Sequence, residues 1–162
     1  MERKLVEIPL SYMYKQARPG SVKMDETAMI NMVEKLSVPG KEQGGMLGID
    51  KQCILSFYHD ETALTSESSY KPTGEILRDQ LVQWHKEGIF FAGMVHSHTV
   101  KPLLSRGDLQ YVLGMFQINK HLNAMIMGLV VKEQLVLYRF DRSDFVPWME
   151  RKLQRKEPLY DA

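Results

Sequence analysis

His96 and His98 are two imidazoles one residue apart, and Asp108 follows ten residues after the second. In an extended strand, residues i and i+2 point to the same face. Two rings at the end of the apolar run Ile89–Val95 therefore stand side by side, placed to bind one metal ion. Asp108 adds an anionic third ligand. Two histidines and one carboxylate leave the fourth tetrahedral position open, the pattern of a catalytic rather than a structural zinc site. Ser97, between the two rings, faces the other way, where a backbone or supporting hydrogen bond is its expected role. Taken singly these residues are ordinary: a His-x-His pair is common on surfaces, Ser105-x-x-Asp108 is also a helix-capping pattern, and Glu42 reads as a solvated loop residue. Their conjunction is what points to chemistry.

The elements around them read clearly from about residue 25. Ala28, Met29, Met32, Val33 and Leu36 recur at helical spacing behind Asp25, a capping residue, and Val38-Pro39-Gly40 stops that helix. Gly44–Ile49 and Cys53–Tyr58, joined through Asp50-Lys51, read as a hairpin, with Cys53 a small core residue. Residues 60–72 are polar and loop-like. A second helix spans about Gly74–Lys86, with Thr73 as its cap, Trp84 on its apolar side and Gly88 at its end. Ile89–Val95 is apolar throughout, as a strand covered on both faces should be. It leads through a loop containing Pro102 to a third helix, opened by Ser105 and carrying Leu109, Val112, Met115, Phe116 and Ile118. Strands follow near Ala124–Val131 and Gln134–Phe140 around a tight turn at Lys132-Glu133. A last helix runs from Ser143 to about Gln154, with Pro147 in its first turn. Residues 1–23 read as an N-terminal extension containing at most a short edge strand, Leu5–Leu10, since Pro9 cannot donate to a ladder. The order α, ββ, α, β, α, β, β, α predicts one mixed α/β domain over residues 24–162, a central sheet with helices packed against it.

The 162 residues make one ordinary domain, with 44% apolar residues to bury and a net charge of +1. That balance argues for neither nucleic acid nor an anionic membrane as partner. No apolar run approaches the roughly 20 residues that span a bilayer. The lone Cys53 rules out an intrachain disulfide and any multi-cysteine zinc site, and fits a cytoplasmic location. His59, His85 and His121 lack partners at ligand spacing and read as surface or helix-face residues. The basic run Arg151–Lys156 reads as a solvated face.

Glu42-Gln-Gly-Gly-Met-Leu-Gly48, then Gly93-Met-Val-His-Ser-His98, then Ser105-Arg-Gly-Asp108 resembles the signature of the JAB/MPN-type (JAMM) metallopeptidases. All five signature positions are filled in order. Two details depart from the common pattern: Thr99 follows the second histidine where many members carry Pro, and six rather than seven residues separate His98 from Ser105. The resemblance implies a JAB/MPN-like domain of cytidine-deaminase-like architecture, with a central mixed β-sheet flanked by helices. It implies one Zn2+ per chain on His96, His98 and Asp108, Glu42 as general acid/base and Ser105 as oxyanion donor. The implied reaction is hydrolysis of a peptide or isopeptide bond at the glycine tail of ubiquitin or a ubiquitin-like or sulfur-carrier protein. The alternative is a non-catalytic MPN-type scaffold or interaction module. A zinc deaminase is excluded, because it needs His-x-Glu and Pro-Cys-x-x-Cys.

Overall fold

The computed structural model describes residues 3–61, 63–65, 70–99 and 103–159. The elements run β1 (Leu5–Ser11), β2 (Ser21–Asp25), α1 (Glu26–Leu36), β3 (Gly44–Ile49), β4 (Ile54–His59), β5 (Leu64–Thr65), β6 (Tyr70–Lys71), α2 (Gly74–Lys86), β7 (Phe90–Ser97), α3 (Arg106–Ile118), β8 (Ala124–Val131), β9 (Gln134–Asp141) and α4 (Arg142–Arg155).

The expected central mixed sheet flanked by helices, with a cytidine-deaminase-like architecture, is not what the chain builds. Seven strands close into a mixed barrel in the order β1-β2-β4-β3-β7-β8-β9, while β5 and β6 form a separate two-stranded sheet. The N-terminal segment makes the difference. β1 pairs antiparallel with β2 from Leu5↔Asp25 to Pro9↔Ser21. Its last two residues then pair in parallel with β9, Leu10↔Leu137 and Ser11↔Tyr138. β2 reaches β4 through Lys23↔Ile54 and Met24↔Leu55. The strand Leu5–Leu10 therefore behaves as an edge only as far as Pro9, and its continuation closes the barrel.

Two cores result. One draws Ile8, Leu10, Val22, Met24, Leu47, Leu55, Val95, Ile126, Val130 and Leu137 from all seven strands, with Met32 and Leu36 of α1: the barrel interior. The other lies between the outer faces of β3, β7, β8 and β9 and the helices α2, α3 and α4. It includes Met46, Met94, Met127, Trp84, Leu109, Phe116, Phe140 and Phe145. β7 is thus covered on both faces, the reason its sequence is continuously apolar.

A bulge on β7 decides which way the site faces. The β3–β7 register shifts between Leu47↔Gly93 and Gly48↔Phe91, so Ala92 and Gly93 together take up one extra position. Phe91 packs outward and Ala92 inward, yet Met94 is again outward and Val95 inward. If these same residues alternated regularly from Phe91 onward, with no bulge at Ala92–Gly93, His96 would point into the barrel. Glycine is required there: φ is +155°, and a Cβ would sit 1.7 Å from the Ile126 carbonyl oxygen.

The helices start and stop for local reasons. The Asp25 carboxylate accepts the Ala28 N–H at 3.0 Å, capping α1 as expected. Thr73 occupies the cap position of α2 but makes no side-chain cap bond; its own N–H donates to the buried Asp60 carboxylate at 2.8 Å. Pro147 falls in the second turn of α4, not the first, so the Ser143 carbonyl lacks its helical donor. Cys53 is an exposed turn residue with φ +61° rather than a core strand residue. The turn at Lys132-Glu133 has positive φ at both positions, 50° and 64°, as a tight hairpin of this hand demands. No helix among the described residues is long and apolar enough to cross a membrane.

Candidate metal centre

The site stands where the ends of β3 and β7 meet the start of α3. His96 is on the outward face of β7, the face α3 covers. His98 lies one residue beyond the strand, but its N–H donates to the Val130 carbonyl at 3.0 Å. That bond carries the β7–β8 ladder one step further, so the two rings stay on one face as the i, i+2 spacing predicts. Their centroids are 4.8 Å apart.

Asp108 arrives from α3. Ser105 caps this helix: its Oγ accepts the Asp108 N–H at 3.1 Å, and the Asp108 carboxylate accepts the Ser105 N–H at 2.7 Å. This reciprocal capping box fixes the carboxylate's rotamer. Asp108 Oδ1 then lies 3.0 Å from His96 Nε2 and Oδ2 lies 3.2 Å from His98 Nε2. The two Nε2 atoms are 3.0 Å apart. Tetrahedral zinc with bonds near 2.1 Å holds its ligand atoms roughly 3.4 Å from one another; the spacing of the two Nε2 atoms, and of each from its own Asp108 oxygen, is within a few tenths of that value. His96, His98 and Asp108 form a group that can hold a metal ion. The donor chemistry fits, and the shorter loop after His98 has not displaced Asp108. Thr99 lies within the described residues; Pro102 lies outside them.

The electrostatics agree with a cation site. Burial pushes the Asp108 carboxyl upward, but hydrogen bonds from His96 and His98, the charge of His96 and the Ser105 N–H outweigh it and hold the group well below the usual carboxylate range. Glu42 is not a solvated loop residue: it is 8% exposed, with its Oε1 3.8 Å from His98 Nε2. Burial pushes its carboxyl upward. His98 and His96 pull it down, and Asp108 adds a smaller upward push. Two carboxylates at one centre are thus driven in opposite directions.

The other expectations resolve individually. Ser97 is buried and turned away from the rings; its Oγ accepts the Gln43 N–H at 2.9 Å. Ser105 is exposed at the lip of the site. His85 and His121 are exposed, as expected. His59 is half-buried on β4, with Nε2 3.2 Å from Gln43 Oε1. Sequence reasoning missed Gln43 and His59. The signal available for Gln43 was its place directly after Glu42; nothing local marked His59.

No protein-family profile matches the chain, and no curated protein matches it. Among solved structures, the chain is similar to protein DSY2949 from Desulfitobacterium hafniense, known from its solution structure. The TM-score is 0.54 at 16% identity, over 73% of this chain and 82% of that one. Likeness at that identity concerns the fold alone.

Proposed function

We propose that this protein is a zinc-dependent hydrolase of peptide or isopeptide bonds. The observation that carries the reading is the convergence of His96 Nε2, His98 Nε2 and Asp108 Oδ within hydrogen-bond range of one another, beside a buried carboxylate, Glu42, that is not part of that ligand set. The resemblance of Glu42, His96-Ser-His98 and Ser105-x-x-Asp108 to the JAMM signature supports amide hydrolysis over other metal chemistry. It also supports the glycine tail of a ubiquitin-like protein as substrate.

In this reading His96, His98 and Asp108 hold the ion, and zinc bound there supplies Lewis acidity and acidifies water toward a pKa of about 7. Glu42 takes the proton from attacking water and returns it to the leaving amine. A carboxyl raised by burial suits both tasks, because its proton affinity lies closer to neutrality. Asp108, kept ionised, balances part of the cation's charge. The Ser105 Oγ already accepts a backbone N–H, so its own proton can turn to the developing oxyanion. Losing such a donor costs about a hundredfold or more in turnover.

The test is zinc stoichiometry together with cleavage of isopeptide conjugates bearing a glycine-tailed modifier. The wild type should bind one zinc and cleave. Glu42→Gln should keep zinc and lose turnover, and His98→Ala should lose both. Wild-type turnover by Glu42→Gln would refute the mechanism. Zinc binding with no hydrolysis of any such conjugate would refute the enzyme and leave the interaction module.

A further inference from the structure

A carboxylate that moves a proton must keep its place, yet Glu42 stands in a loop ahead of β3 rather than on an element. The residue after it is held from three directions. The Gln43 carbonyl accepts the Ser97 N–H at 2.8 Å. The Gln43 N–H donates to Ser97 Oγ at 2.9 Å. The Gln43 side-chain Oε1 lies 3.2 Å from His59 Nε2 on β4. We infer that Gln43, bracketed by Ser97 and His59, is a positioning residue that fixes Glu42 against the metal centre. The inference rests on the role proposed above for Glu42.

The register shows why a serine is needed. The last β3–β7 pair is Gly44↔His96, so Gln43 stands opposite Ser97. A regular antiparallel pair of this kind exchanges two backbone bonds. Here one is kept and the other is replaced: Gln43 donates to the Ser97 hydroxyl instead of the Ser97 carbonyl. The hydroxyl satisfies the Gln43 N–H while the chain leaves the ladder, and Glu42 turns back toward His98. Ser97 therefore serves the centre from the face opposite its two flanking histidines. His59 supplies the third hold from the neighbouring strand, where it pairs with Gly45. Burial pushes its imidazole down, toward the neutral form, and a neutral ring with its proton on Nε2 donates to the Gln43 side-chain oxygen Oε1.

Ser97→Ala removes the hydroxyl and leaves the ladder bond and both imidazoles. Three readouts test it on the full chain: zinc affinity by chelator competition, amide hydrogen exchange at Gln43, and side-chain carbon relaxation of Glu42. We expect unchanged zinc affinity, about tenfold faster exchange at Gln43 for a bond of this kind, and a more mobile Glu42 side chain. Ser97→Thr, which keeps a hydroxyl, should restore both. Where conjugate cleavage is measurable, Ser97→Ala should lower kcat and leave KM unchanged. Wild-type exchange at Gln43 and wild-type mobility of Glu42 in Ser97→Ala would overturn the inference, as would loss of zinc in that variant. Exchange and relaxation do not depend on turnover, so they test the bracket even if the wild type hydrolyses nothing.

Discussion

Gly93→Ala puts the origin of the site's direction to a direct test. A Cβ at this position would lie 1.7 Å from the Ile126 carbonyl oxygen and 2.7 Å from its carbon. Backbone on the neighbouring strand cannot swing aside as a flexible side chain would. The substitution must break the Gly93↔Ile126 step of the parallel ladder and also strain a residue at φ +155°. Strain at a glycine-only conformation costs about 1–3 kcal/mol, and each lost ladder bond adds about 1 kcal/mol. A total of about 3 kcal/mol corresponds to a fall in Tm of roughly 6–12 °C for a chain of this size. Because the bulge sets the face of His96, zinc affinity should fall with stability. Gly114→Ala is the control: it lies in α3, where an added methyl would meet nothing within 4 Å, and should stabilise by about 0.4–1 kcal/mol. Thermal melts and zinc competition on both variants decide the matter. A Gly93→Ala protein that melts with the wild type and binds zinc equally would refute the argument that the bulge orients His96.

The capping box separates two roles on α3. Ser105→Ala should cost about 1 kcal/mol as a lost cap and leave zinc binding intact, whereas Asp108→Asn should lose most zinc affinity; equal zinc affinity in the two would deny Asp108 its place as ligand. Asp141 gives a pH prediction. Burial pushes its carboxyl up, but the Tyr12 hydroxyl and Arg139 outweigh this and hold it below its usual range. A depressed folded value means stability that is present above the unfolded carboxylate pKa and lost as pH falls through the folded one. Asp141→Asn should therefore destabilise at pH 7, with the gap to wild type closing in acid; urea midpoints across that range check it, and a constant gap would contradict it.

The parts legible in the sequence were those set by local pattern. The spacing of Met32 and Leu36 behind Asp25, the Gly74–Lys86 helix, the uniformly apolar β7 and the strands either side of Lys132-Glu133 all appear within a residue or two of their expected places. So does the convergence of His96, His98 and Asp108, because strand alternation and a capped helix start are short-range rules. Barrel closure was not legible. It depends on Leu10 meeting Leu137, a pairing that no local pattern encodes, and Pro9 argued for an edge. Cys53 was misplaced because its turn takes a positive φ that a β-type residue pattern does not reveal. The bulge at Ala92–Gly93 escaped because a run apolar on both faces carries no alternation to interrupt.

The seam between β1 and β9 has a consequence for how the chain folds. Only two residue pairs join these strands in parallel, braced by Tyr12 donating to Asp141 across 129 residues of sequence. Contacts of such separation carry the largest loop-closure entropy, and topologies that depend on them fold slowly. The hairpins β3–β4 and β8–β9, and the short span from His96 to Asp108, close much smaller loops. Assembly of the metal centre can thus precede closure of the barrel, since it closes the smaller loops. During synthesis β1 emerges ahead of the other barrel strands, and its edge toward β9 stays unpaired until β9 has emerged.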